Sequence, residues 1–200
     1  MVSSAFKPSV SRVIEPIALR AVKIGITPNA VTLLGTAGTI AAALFLYPSG
    51  KLFIGTLIIA IFALSDLLDG AIARASQQGA SLWGGFLDST CDRLTDAAIL
   101  GGVTIYCIRH DNHLAPVIVA ALVVGFLVPY IRAKSESFGV ACTVGIAERT
   151  ERIIIALVAI GLEGLKVPYI LAAGMWILLT VGLITVFQRI LVVHRGLKLL

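Results

Sequence analysis

Long stretches that carry almost no charge constrain this chain more than any other feature of its sequence. Hydrophobic residues make up 58% of the 200 residues and charged residues only 14%, whereas a soluble domain averages roughly 45–50% and about 25%. An apolar run of about 20 residues is long enough to cross the hydrocarbon core of a bilayer. The sequence therefore predicts an integral membrane protein.

Six apolar stretches follow one another and predict six transmembrane helices. We expect them at residues 29–46, 51–75, 82–109, 114–137, 148–162 and 168–194. Before them, residues 9–23 place apolar side chains near helical spacing with charges in between, which predicts an amphipathic interfacial helix in region 1–26. The expected fold is an all-α integral membrane protein, a single domain over residues 1–200 with its six-helix bundle at 27–200.

The basic residues predict how the chain is oriented. Thirteen of the 16 Lys and Arg residues fall on one side of the predicted spans, so the positive-inside rule places both termini in the cytoplasm. We expect the cell (plasma) membrane as the location. Span-end anchoring and membrane lipids explain the net charge of +5 better than nucleic acid does. The three cysteines are scattered, and we expect buried thiols.

Acidic residues within the second and third spans are the strongest functional signal. Asp66 and Asp69 are spaced i, i+3, while Asp88 and Asp92 are spaced i, i+4, so each pair shares one helix face. The helical rise puts both pairs at similar depth near the cytoplasmic boundary. Carboxylates inside spans are costly and usually functional, and an all-oxygen cluster suits Mg²⁺ or Mn²⁺, with room for two ions. For Asp96 the sequence allows either a structural polar contact or a functional role.

Glycines near these acids favour a phosphoryl-transfer enzyme. Gly70, Gly84 and Gly85 remove side chains beside the carboxylates, which lets a bulky phosphate ligand approach. A divalent-cation transporter is the alternative from another class. Transporters usually place such acids near the bilayer midplane, with broken helices in two repeat halves, whereas these acids cluster toward one face.

The acidic segment resembles the signature of the CDP-alcohol phosphotransferases. It reads D-L-L-D-G-A-I-A-R from Asp66 to Arg74, then nine residues, then G-x3-D-x3-D ending at Asp92. The resemblance implies a six-span enzyme that transfers a phosphatidyl group from CDP-diacylglycerol. It also implies that Asp66, Asp69 and Asp88 bind metal, and that Asp92 is both a metal ligand and the catalytic general base.

The same resemblance implies which residues hold the CDP-diacylglycerol. In the signature segment they are Gly70, Ala73 and Arg74, and in the following loop Ser81. The segment T-P-N-A-V-T at 27–32 is similar to the family's entry segment, which adds Asn29, Ala30, Val31 and Thr32. Taken alone, Asn29 is only an expected helix N-cap and Ser81 only a loop serine.

A second basic cluster predicts a phosphorylated acceptor. It consists of Lys134, Arg149, Arg152 and Arg189. Arg149 and Arg152 are one turn apart at a helix N-terminus, where backbone N–H groups and arginine forks both favour phosphate.

Three further segments, at residues 86–93, 130–136 and 148–152, sharpen the expected acceptor. They resemble the actinobacterial branch of the family that uses inositol 1-phosphate, although Thr150 stands where that branch has Pro. The branch implies phosphatidylinositol phosphate and CMP as products, with glycerol 3-phosphate as the alternative acceptor. Family members are commonly homodimers, so a homodimer is implied as well.

Overall fold

The chain folds into α-helices at the predicted positions. The structure, a computed structural model, describes Arg20, Gly25, residues 27–63, Ile72 and residues 81–198. Its helices are α1 (Pro28–Leu46), α2 (Leu52–Ala63), α3 (Leu82–Arg109), α4 (Ala115–Ser137), α5 (Arg149–Gly164) and α6 (Ile170–Leu197). Over these described residues the all-α prediction is confirmed. The expected interfacial helix and the second half of the second span lie outside the described residues.

Three of these helices are long and apolar enough to cross a membrane. They are α1, α4 and α6, while α2 is a shorter apolar helix over its described length. Along α6, Leu171, Met175 and Leu178 are buried, whereas Trp176 and Phe187 are exposed. A helix that is apolar on both its buried and its exposed face is suited to a lipid bilayer.

Four of the described helices end in the same motif. After each helix one residue takes the left-handed conformation, and its N–H donates to the carbonyl of the residue three positions earlier. The N–H of the following residue donates to the carbonyl five positions before it. The left-handed residues are Gly50, Asp111, Gly139 and Lys166, with φ of 76°, 50°, 77° and 62°. These bonds satisfy carbonyls that would otherwise be left without partners at the helix ends.

The chain divides into two compact units. The first consists of Met1–Ala42 and Leu57–Thr95, and the second of Ala43–Thr56 and Asp96–Leu200. In the second unit α6 packs against both α4 and α5. Small residues permit this close packing, since a Cβ added at Gly182 would lie 2.7 Å from Val124 Cγ1 of α4, and one at Gly174 would meet Ala159 of α5.

The prediction of buried thiols is confirmed, and two polar contacts lie within the second unit. Cys91, Cys107 and Cys142 are free and buried, as expected. In the second unit Tyr47 Oη lies 3.0 Å from Thr56 Oγ1, and Arg109 Nη1 donates a 3.1 Å hydrogen bond to the Pro48 carbonyl. The second bond ties the end of α3 to the turn between α1 and α2.

Candidate active site

Two of the four predicted metal ligands lie on the first half of α3. Asp88 is exposed, and Asp92, one turn later, keeps only 18% of its side chain exposed. Asp92 Oδ2 lies 3.4 Å from Arg93 Nη2. Carboxylate oxygens are the donors that Mg²⁺ and Mn²⁺ prefer, so this half of the donor set fits a divalent cation.

The other half of the predicted metal site cannot be placed. Asp66 and Asp69 lie outside the described residues, as do Gly70, Ala73 and Arg74. Among the residues that are described, no three His, Cys, Asp or Glu side chains come together as a ligand set. The four-carboxylate site therefore stays a prediction.

The entry segment and the start of α3 come together in the first unit. A Cβ added at Gly84 would lie 3.1 Å from Ser81 Oγ and 3.4 Å from Asn29 Oδ1. Two residues that the family resemblance assigns to the CDP-lipid thus lie beside the same glycine. At Gly85 an added Cβ would meet no atom of the described residues within 4 Å.

Local capping differs from the prediction at both helix starts. Thr27 Oγ1 accepts the Ala30 N–H at 3.3 Å, and α1 begins at Pro28. The expectation that Asn29 is the N-cap is therefore wrong, because Pro favours the first helical position and the cap precedes it. Ser81 Oγ accepts the Gly84 N–H at 2.9 Å, so this serine is the N-cap of α3 rather than an ordinary loop residue.

The rest of the entry segment lies within the first turns of α1. Ala30 and Val31 are partly exposed, whereas Thr32 is 8% exposed. Thr32 Oγ1 donates a 3.1 Å hydrogen bond to the Pro28 carbonyl. A ligand that accepts a hydrogen bond from the Thr32 hydroxyl would compete with this bond, whereas a ligand that donates to the hydroxyl oxygen would not.

In the second unit, the predicted acceptor arginines begin α5. Arg149 is its first residue, and the preceding Glu148 makes no side-chain cap. Arg149 Nε donates to Asp96 Oδ1 of α3 at 3.3 Å. The sequence did not decide whether Asp96 makes a structural contact or has a function. Its pairing with Arg149 could not be predicted, because the two residues are 53 positions apart.

Arg152 lies one turn further along α5 and is only 7% exposed. It lines a small cavity of about 30 Å³ whose wall also includes Asp96, Phe126 and Leu178. Most of the lining is apolar, so the arginine is held in a poorly solvated place where its interaction with an anion is strengthened.

Arg189 and Lys134 complete the predicted acceptor cluster. Arg189 is 7% exposed, and its Nε donates to the Val144 carbonyl at 2.9 Å while its Nη1 donates to the Val128 carbonyl. It therefore also ties α6 to α4 and to the loop before α5. Lys134 is exposed, with its Nζ 4.5 Å from the centre of the Phe138 ring.

Known proteins resemble the chain over nearly its whole length. Phosphatidylinositol phosphate synthase of Streptomyces avermitilis is 43% identical over 194 residues, which cover 92% of this chain and 79% of that protein. The Corynebacterium glutamicum protein of the same name is 36% identical, with 92% and 85% covered.

Solved structures agree with the fold. The crystal structure of Mycobacterium tuberculosis phosphatidylinositol phosphate synthase with CDP-DAG bound has a TM-score of 0.85 and 38% identity, covering 91% of this chain and 94% of that one. The same enzyme in complex with manganese and citrate has a TM-score of 0.83 at 38% identity, with 90% and 88% covered. The family CDP-alcohol phosphatidyltransferase matches residues 25–194. This chain therefore belongs to the CDP-alcohol phosphatidyltransferase family.

Proposed function

We propose that this chain catalyses the phosphatidylinositol phosphate synthase reaction, in which the phosphatidyl group of CDP-diacylglycerol is transferred to inositol 1-phosphate and CMP is released. The observation that carries the acceptor is the start of α5, where Arg149 and Arg152 are one turn apart and Glu148 provides no side-chain cap. Arginine forks and first-turn N–H groups both favour a phosphate. Relatives of this name are 36–43% identical to the chain.

The donor is assigned to the residues around the entry segment and the start of α3. Asn29, Ser81 and Gly84 are neighbours there. We infer that they contact the CDP moiety together with Ala30, Val31, Thr32, Gly70, Ala73 and Arg74. The Mycobacterium tuberculosis enzyme, whose structure holds CDP-DAG, supports a CDP-lipid as the donor.

Asp92 is the residue we assign to proton transfer. An alcohol is a poor nucleophile at neutral pH, so a carboxylate within reach of its hydroxyl is needed to accept the proton. The acceptor oxygen then bonds to the phosphorus that carries the diacylglycerol, and the bond from that phosphorus to CMP breaks. The partial cover of Asp92 and its contact with Arg93 restrain its carboxylate.

Asp66, Asp69, Asp88 and Asp92 would together hold the divalent metal, which we assign as Mg²⁺, with Mn²⁺ as substitute and two ions in the full site. When bound, the metal neutralises charge on the diphosphate as CMP leaves. Lys134, Arg149, Arg152 and Arg189 hold the acceptor phosphate and orient its alcohol.

The remaining proposals concern the chain as a whole. We infer a single domain with six spans in the plasma membrane, both termini and the active site on the cytoplasmic side, and assembly as a homodimer. The distribution of Lys and Arg supports the orientation. Exposed apolar side chains such as Ile108 and Val123 are compatible with lipid contact and with a dimer.

Turnover with a panel of acceptors tests the proposal. Purified full-length protein receives CDP-diacylglycerol and Mg²⁺ with inositol 1-phosphate, glycerol 3-phosphate or free inositol, and CMP release is measured. We expect the highest kcat/KM with inositol 1-phosphate, no turnover after EDTA treatment, and recovery on adding Mg²⁺ or Mn²⁺. A preference for glycerol 3-phosphate would instead identify a phosphatidylglycerophosphate synthase, and a preference for free inositol would exclude the phosphate site.

A further inference from the structure

An ion pair connects α3 to the first residue of α5. We propose that Asp96 is a positioning residue that orients the Arg149 guanidinium for the acceptor phosphate. This inference rests on the proposed function of Arg149. Asp96 acts through the arginine and is not assigned a contact with the substrate.

The geometry of the pair restrains the arginine plane. Arg149 Nε lies 3.3 Å from Asp96 Oδ1. A bond through Nε fixes the direction of the whole guanidinium, because its nitrogens lie in one rigid plane. Arg149 begins its helix and is 26% exposed, so its long side chain has several rotamers open to it, and the bond to Asp96 favours one of them. Holding it in one of them before the acceptor arrives removes part of the entropy lost on binding.

The surroundings make this pair more persistent than a surface salt bridge. The Asp96 side chain is only 16% exposed and lies on a cavity wall with Ile99, Leu100 and Ala156. Apolar neighbours reduce the screening of the two charges. The pair Arg132–Glu136 also uses an arginine Nε, but its side chains are 51% and 49% exposed.

Orientation and charge predict opposite effects when the carboxylate is removed. If Asp96 only neutralised Arg149, its loss would increase the positive potential at the site and strengthen phosphate binding. If Asp96 orients Arg149, its loss weakens phosphate binding even though the site becomes more positive. The direction of the change in the KM for the acceptor therefore separates the two roles.

Steady-state kinetics of the full-length enzyme test the proposal with Asp96→Asn and Asp96→Ala. We expect Asp96→Ala to raise the KM for inositol 1-phosphate on the order of tenfold, equivalent to about 1.4 kcal/mol, with kcat and the KM for CDP-diacylglycerol almost unchanged. Asp96→Asn should have a smaller effect in the same direction, because its side-chain oxygen still accepts a hydrogen bond. Asp111→Asn removes the same charge from the exposed turn after α3 and should leave the KM for the acceptor unchanged. An unchanged or lower KM in Asp96→Ala would overturn the proposal.

Changes at Arg149 distinguish failure of this inference from failure of the proposed site. If Arg149→Ala leaves the KM for inositol 1-phosphate unchanged, the phosphate assignment itself is wrong. If Arg149→Ala raises it and Asp96→Ala does not, only the positioning role is overturned. In the Arg149→Ala background, adding Asp96→Ala should have no further effect on this KM; a persistent effect would show that Asp96 acts elsewhere.

A variant made from the other side of the pair keeps the test valid if Asp96→Ala does not fold. Arg149→Lys retains the positive charge but lacks Nε and the planar fork. We expect it to raise the KM for inositol 1-phosphate about as much as Asp96→Ala does. A wild-type KM in Arg149→Lys would mean that charge alone suffices, and would refute orientation by Asp96.

Discussion

Two adjacent glycines on α3 allow a test of how closely the helices pack in the second unit. A Cβ added at Gly102 would collide with the backbone carbonyl oxygen of Ala43, whereas one added at Gly101 would meet no atom of the described residues within 4 Å. Ala43 is itself fully buried. Gly102→Ala should therefore destabilise the protein, and Gly101→Ala should not.

The magnitude follows from what the two variants share. Replacing glycine by alanine inside a helix contributes about 0.5–1 kcal/mol of stability in either variant, so this contribution cancels in their difference. What remains is the overpacking at Gly102, for which about 1–3 kcal/mol is typical. A value toward the upper end is expected because the obstacle is a main-chain atom, which cannot rotate away as a side chain would. A carbon atom normally stays about 3.3–3.6 Å from a carbonyl oxygen, so α3 and the end of α1 would have to separate.

Thermal unfolding of the full-length protein in one detergent, at one scan rate, measures this difference. At about 2–4 °C per kcal/mol for a chain of this size, Gly102→Ala should unfold roughly 2–12 °C below Gly101→Ala. A Tm for Gly102→Ala equal to or above that of Gly101→Ala would refute the close approach of α3 to Ala43.

Three further predictions concern the site. Ser81→Ala should lose the N-cap of α3 and about 1 kcal/mol of stability. Ser81→Asp should keep the cap on the Gly84 N–H, and therefore the wild-type Tm, but should raise the KM for CDP-diacylglycerol because its carboxylate repels the diphosphate. An unchanged KM in Ser81→Asp would exclude the nucleotide contact. The lysine of Arg189→Lys cannot reach both carbonyls, so this variant should lose about 1–3 kcal/mol of stability and have a raised KM for the acceptor. The control Arg195→Lys, at an exposed position, should change neither quantity. Equal Tm values for the two variants would contradict the tie between α6 and α4. Asp92→Asn should bind CDP-diacylglycerol in a direct binding assay but lose turnover on the order of 10²–10⁴-fold, and near-wild-type CMP release would refute its role as base.

Most of the helical architecture could be predicted from the sequence because two local signals coincide. Apolar runs define where helices are favourable in a membrane, and turn residues such as Pro48 and Gly50 end them. The same signals fail at Asp111 and Lys166, which take the left-handed conformation that glycine usually provides. Hydrogen bonds at the helix end stabilise that conformation, and these bonds cannot be predicted from residue type alone.

The predicted site was only partly derivable, because side-chain partners depend on packing. The spacing of Asp88 and Asp92 already placed them on one helix face. The pairing of Asp96 with Arg149, and of Arg189 with two carbonyls, joins residues that are 45 to 61 positions apart. Sequence periodicity describes single helices, so it cannot specify such contacts.

The partners of Arg149 and Arg189 also determine what each arginine offers to an anion. Asp96 carries a full negative charge, so the pair with Arg149 has little net charge and chiefly provides direction. Arg189 donates to carbonyl dipoles of Val128 and Val144, which leaves its positive charge in place. A phosphate site built in this way has oriented donors. It also brings less uncompensated positive charge into the apolar bundle than two unpaired arginines would, and buried charge is costly there. On this reasoning an acidic residue beside a phosphate site is compatible with anion binding, provided that the carboxylate holds an arginine in the direction from which the phosphate is bound.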